Sequence, residues 1–300
     1  MAIVLGANQY GKAEVRVVAV DRSAPRHTLV DLNVSSTLRG EFAAAHTVGD
    51  NAHVLTTDAQ KNTVFAFARD GVGSPEAFGL RLARHFAGSY DWITGARVAV
   101  ESYGWERISV GGAEHDHAFR QAGAEVRTAV VTVDGDDAHV LAGLSDLVVL
   151  KTTGSEFWGF PRDRYTTLAE TRDRILATAV TARWRYIGTD VDFDATFATV
   201  RTALLETFAS THSLALQQSL YAMGEAVLER CPEVAEIRMS MPNKHHFLQD
   251  LSAYGLENTP EGGAVVYHAD DRPYGLIEGT VLRDDVPPAE IAWQGTPGFC

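Results

Sequence analysis

Cysteine is scarce in this 300-residue chain, with Cys231 and Cys300 the only two. Two thiols that far apart make neither a disulfide framework nor a CxxC site, so a reducing, cytoplasmic setting is expected. Basic residues are outnumbered, 26 Lys and Arg against 39 Asp and Glu, for a net charge of −13. A duplex DNA binder needs a basic face to displace counterions, so no nucleic-acid partner is expected. A pocket for a small anion needs only one or two cations and stays open. No apolar run approaches the roughly 18–20 residues that cross a membrane. The opening MAIVLGANQYGK lacks the basic start and apolar core of a secretory signal, and Gly298-Phe299-Cys300 is neither a peroxisomal address nor a prenylation box. With no export route, the Asn33-Val34-Ser35 sequon carries no meaning.

Generic catalytic signatures are missing too. Gly71-Val72-Gly73 has no third glycine and no preceding strand, and there is no GxxxxGK[ST], GxSxG or HExxH. His115 and His117 share a strand face but bring no third ligand at a recognisable spacing, so no metal is expected. Asp270-Asp271 reads as a solvated turn, and Cys231, before Pro232, as a packing residue. What is present is ordinary for a globular chain: 45% hydrophobic and 22% charged residues, enough for one large domain or two.

Period-two alternation predicts strands over 12–20, with Ala13, Val15 and Val17 on one face, and over 28–34. Helices are predicted from Asp58 to Gly71 and from Pro75 to Gly88, the second with Ser74 as N-cap and Phe78, Leu82 and Phe86 on one face. Strands return over 97–105 and around His117 to Phe119. Val126 to Val133 then turns at residues 134–137, and Asp146 to Thr153 comes back. One long helical region carries Phe197, Val200, Leu204, Leu205 and Phe208, then Leu216, Leu220, Met223 and Val227, and stops at Pro232. Strands over 236–241, 264–268 and 274–282 complete the chain. Residues 1–122 and 123–300 thus share the order strands, helices, strands, which predicts an α+β fold of antiparallel sheet with helices on one face.

Three segments gather aromatic, basic and amide groups at element boundaries, where sites are built on rigid supports. They are Asn8-Gln9-Tyr10-Gly11-Lys12, the run from Lys151 through Phe157 and Trp158 to Asp173-Arg174, and Met241-Pro242-Asn243-Lys244-His245-His246-Phe247. Taken singly, Lys12 reads as a surface charge, Phe157 and Trp158 as core, and His245 as either a structural or a catalytic histidine.

Together with TTDAQKNTVF (56–65) and ETRDRILAT (170–178), these blocks resemble the urate oxidase (uricase) family in order across nearly the whole chain. The resemblance implies a tunnelling fold (T-fold) of two tandem units, 1–122 and 123–300. It also implies four subunits around a central tunnel, with active sites between subunits. Lys12, Thr57 and His245 match the catalytic set, His245 coming from the neighbouring subunit. Arg174 and Gln217 match the purine clamp and Phe157 the stacking aromatic. Thr57 and Asp58 lie at the substrate, Leu216 offers its amide, and Asn243 stands beside the oxygen site. His246 departs from the aromatic common in eukaryotic relatives, and the tail lacks their peroxisomal signal.

These residue types suit urate, a planar, electron-rich anion. It stacks on Phe157, takes paired charge-assisted bonds from Arg174, and presents a C=O/N–H edge that Gln217 can read. The implied reaction is urate + O2 + H2O → 5-hydroxyisourate + H2O2, with no cofactor and no metal. Lys12 would be the base, Thr57 a proton relay, and His245 a donor to water or peroxide. The rivals are another purine or pterin enzyme of the same fold, which would favour a glutamate anchor, and a non-catalytic purine-binding protein.

Overall fold

The computed structural model describes residues 1–259 and 265–296, so Cys300 and Ala264, the start of one predicted strand, lie outside the described residues. Strands β1 (Tyr10–Asp21) and β2 (Thr28–Gly40) form an antiparallel hairpin in which Val15 faces Val34 and Val17 faces Leu32. All four are buried, as alternation requires. Ala13 does not share their face, because the register shifts between Lys12 and Val15 and Glu14 takes a φ of 56°. An extra residue in one strand resets which side chains point inward, and it leaves Lys12 opposite Ser36 at the mouth of the hairpin.

Helices α1 (Ala43–Val48), α2 (Thr57–Arg69) and α3 (Pro75–Ala87) follow. The start and stop of α3 were legible in advance: the Ser74 hydroxyl accepts from the Ala77 amide, Pro75 opens the helix, and Gly88 closes it. The chain then runs through β3 (Ile93–Val110), β4 (Ala113–Asp134) and β5 (Asp137–Lys151), and position 122 lies inside β4. Strand β6 (Leu176–Tyr186), which the sequence reading does not include, buries one face wholly, Trp184 fully so, while Ala179, Thr181 and Arg183 on the other face stay half-buried. The predicted long helix is two, α4 (Phe193–Ser210) and α5 (Leu216–Arg230), since Thr211 and Ala215 adopt extended backbone. Beyond them lie β7 (Val234–Pro242), β8 (His245–Leu248), β9 (Tyr267–Asp270), β10 (Leu276–Leu282) and α6 (Glu290–Trp293).

Eight strands make one antiparallel sheet in the order β1-β2-β3-β4-β5-β6-β7-β10, with β8 and β9 a separate pair. A single core joins its inner face to α2, α3, α4 and α5, from Val15 and Phe86 through Trp184 and Leu204 to Met223 and Met241. On the opposite face, Ala292 and Trp293 of α6 cover Val130 and Leu141.

Arg127 of β4 ties the two halves together. It reaches Glu76 at 2.7 Å in the first turn of α3 and Asp194 at 2.6 Å in the first turn of α4, and stacks 4.3 Å from the Phe197 ring centre. Glu76 is fully buried; burial pushes its carboxyl pKa up while Arg127 pulls it down. Removing one partner of a buried pair strands the other charge. We expect Arg127→Ala to cost about 3–5 kcal/mol in denaturant unfolding; a loss below about 1 kcal/mol would show that Glu76 needs no partner.

Candidate active site

The sequence-predicted site residues fall into two groups. Around Lys12, β1 and β2 approach so closely that any Cβ at position 11 would fall 1.8 Å from the Ser36 carbonyl oxygen, which glycine alone permits. Buried Ser36 donates from its hydroxyl to Gln60 Oε1 at 2.8 Å, and the Tyr10 hydroxyl and the Gln60 amide both donate to the Leu55 carbonyl. These bonds hold the first turn of α2 against the hairpin. Thr56 caps that helix, accepting from the Ala59 amide at 3.1 Å, so Thr57 and Asp58 are its first two residues. The Asp58 carboxyl is held below its usual range, first by its hydrogen bond from Lys61 at 2.6 Å and in smaller part by the charge of Lys12. Lys12, Thr57 and Asp58 therefore share one rim.

The second group gathers at the other end of the sheet. Buried Ser155 makes a parallel bridge to Ser213: the Glu156 amide donates to the Ser213 carbonyl at 2.7 Å, and the Ser213 amide to the Gly154 carbonyl at 2.9 Å. Phe157 and Thr171 exchange backbone bonds of 2.9 Å, and the Arg174 amide donates to Ser155 at 2.9 Å. The Arg174 guanidinium then lies 5.1 Å from the Phe157 ring centre. Burial pulls its pKa down, and no carboxylate pairs with it among the described residues. It is a partly dried cation with an aromatic face beside it, which suits a planar anion.

Ser213 leads directly into α5. Its N-cap, Ala215, brings no side-chain acceptor, so the amides of Leu216 and Gln217 open the helix without a side-chain cap. Gln218 turns back to accept from the Leu214 amide at 2.8 Å, while the Gln217 side chain stays exposed. Asn243 joins this group through β6: it bridges Thr178, four residues after Arg174, and donates its amide to the Gly275 carbonyl at 2.9 Å. The Thr178 hydroxyl donates to the Pro242 carbonyl at 2.9 Å, fixing the end of β7. His245 opens β8 opposite Asp270, its ring stacked 5.6 Å from that of Phe247.

Within one chain the two groups do not meet. Strand β1 is one edge of the sheet, and β6 and β7 lie five and six strands away, about 24–29 Å along the sheet. His115 and His117 sit ring to ring on the β3–β4 hairpin, apart from both groups. Sequence reading missed the supports: Ser36 with Gln60, Ser155 with Ser213, and Thr178. Small polar residues carry no periodic signal, and only their pairing partners reveal them.

The uricase family profile matches residues 8–132 and 140–278. Over 298 residues the chain is 57% identical to the uricase of Arthrobacter globiformis, covering 99% of this chain and 96% of that one. It is 39% identical over 294 residues to the Aspergillus flavus uricase, covering 93% and 97%. The crystal structure of the Arthrobacter globiformis uricase superposes with a TM-score of 0.93, covering 98% of this chain and all of that one. A Bacillus sp. TB-90 urate oxidase at 26% identity superposes at 0.79, covering 92% and 100%. Alike in profile, in full-length sequence and in backbone, the chain belongs to the uricase family and carries its tunnelling fold.

Proposed function

We propose that this chain oxidises urate with O2 and water to 5-hydroxyisourate and hydrogen peroxide, with no cofactor. The observation that carries the reading is the gathering of Phe157, Arg174 without a carboxylate partner, and the start of α5, which the Ser155–Ser213 bridge draws together. A planar anion placed there stacks on the ring, meets the guanidinium edge-on, and reaches the Leu216 amide and the Gln217 carboxamide. A pterin or purine hydrolase would favour a glutamate anchor, and Glu156, next to Phe157, already has its carboxylate engaged by His212 and Trp158.

The chemistry needs a base, a relay and a place for oxygen. Lys12 takes a proton from bound urate through the Thr57 hydroxyl, with Asp58 at the same rim. The electron-rich dianion then gives two electrons to O2, which leaves as peroxide with two protons. Water adds to the oxidised ring, with Asn243 holding the oxygen species above it and His245 moving protons to and from it.

Because Lys12 and His245 lie at opposite ends of one sheet, we propose that Lys12, Thr57 and Asp58 of one copy face Phe157, Arg174, Gln217, Asn243 and His245 of another. Strands β1 and β10 end the sheet of the described residues, which supports such assembly, and we propose a homotetramer. Each subunit would hold two units. The expected division, 1–122 and 123–300, falls inside β4; strands, then helices, then strands follow one another both before and after the β4–β5 turn at 134–137, which we propose as the division. A cytoplasmic setting fits the buried Cys231 thiol, whose pKa burial pushes up to about 11. No helix of the described residues is long and apolar enough to cross a membrane.

Lys12→Ala or Thr57→Ala is expected to cut turnover on the order of 10²–10⁴-fold, followed by urate absorbance with oxygen uptake. Near-full turnover would remove that residue from the reaction. Arg174→Ala should weaken urate binding about 10- to 100-fold, the worth of charge-assisted bonds; unchanged affinity would refute the clamp. Co-expressing inactive Lys12→Ala with inactive His245→Ala should restore part of the activity through hybrid sites. If none returns, the site is not shared between subunits.

A further inference from the structure

We propose that Glu156 and His212 are positioning residues: a side-chain clasp on the back of the aromatic segment that sets the angle of Phe157 and Arg174 toward the substrate. The inference rests on the urate reading above. Residues 155–157 are extended, with backbone bridges from Ser155 to Ser213 and from Phe157 to Thr171. Successive side chains leave such a segment on opposite sides. Phe157 and Arg174 stack on one side. Glu156, Trp158 and Arg172 gather on the other.

On that outer side one carboxylate joins three stretches of chain. The Trp158 indole N–H donates to Glu156 Oε2 at 2.7 Å, and Arg172 approaches the same oxygen at 3.5 Å. Arg172 also lies 3.6 Å from the Trp158 ring centre. His212 Nε2 meets the other oxygen, Oε1, at 2.7 Å. The His212 bond is the leading cause that holds the Glu156 carboxyl below its usual range.

Backbone bonds to Ser213 and to Thr171 hold the segment, and Phe160 stacks on the Phe157 ring at 5.1 Å. Glu156 and Trp158 flank Phe157, so tying both of their side chains adds the last restraint on the tilt of the ring between them. His212 stands four residues before Leu216, so the same clasp sets the ring in reference to the start of α5. The His212 side chain is 58% exposed, and exposed pairs add little to global stability. The effect of the clasp therefore belongs to the site and not to the fold.

Steady-state kinetics with urate on Glu156→Ala and His212→Ala, beside thermal melting, tests this. The apparent KM should rise about 5- to 20-fold, with kcat within about twofold and melting unchanged, because misplacement of a binding face costs affinity first. The double variant should be no worse than either single one, since removing either partner opens the clasp. His212→Gln, which keeps a donor for Glu156, should recover most of the affinity. Unchanged KM in both alanine variants, or losses that add in the double variant, would overturn the clasp. With wild-type urate oxidation intact, that result leaves the urate reading standing. A wild-type protein inert toward urate would overturn both.

Discussion

Backbone hydrogen bonding across eight antiparallel strands is the constraint on which the rest of this molecule depends. The ladder from β1 to β10 fixes the core, because its inner face must be covered and α2 to α5 cover it. The same ladder fixes the two ends. Groups anchored on β1 and groups anchored on β6 and β7 cannot approach each other without breaking strand pairs. The sheet therefore keeps the group beside β1 and the group beside β6 and β7 apart within one chain.

Charge is used sparingly inside this frame, at joints. Arg127, Glu76 and Asp194 link the two helical layers through β4. Arg185 of β6 and Glu236 of β7, both buried and 2.7 Å apart, join neighbouring strands on the opposite face, where the Trp293 indole of α6 donates to Glu236 at 3.0 Å. Buried pairs of this kind add little net stability but penalise any arrangement that parts them. Arg174 is the contrast, a partly buried cation that no carboxylate of the described chain neutralises.

Much of this was legible in the residues. The cap, proline and glycine around α3, the alternation of β2, and the apolar faces of α4 and α5 follow from local rules. The family blocks contain Lys12, Thr57, Phe157, Arg174, Asn243 and His245 of the proposed site, while Gln217 lies outside them and comes from the resemblance alone. Three things were not legible, each for a physical reason. The bulge at Glu14 is a register effect between two strands, invisible in either alone. Strand β6 sets Ala177, Ala179 and Thr181 against Thr178, Val180 and Ala182, so its two faces differ little in hydropathy over that stretch. The break between α4 and α5 keeps the apolar spacing on both sides, and only the extended backbone at Thr211 and Ala215 reveals the start of a second helix.

Strand β6 begins two residues after Arg174 and meets Asn243 at Thr178. An extended chain advances about 3.3 Å per residue, so the four steps from 174 to 178 act as a ruler of about 13 Å between the guanidinium's anchor and the asparagine's. A ruler of this kind tolerates no change of length: one inserted residue would turn every following side chain to the other face. The stretch from Gly159 to Glu170 belongs to no strand, and its ends are joined by a single bond from the Gly159 amide to the Glu170 carboxylate at 2.9 Å. Natural variation in chain length around this site should therefore accumulate before Thr171 and stop there.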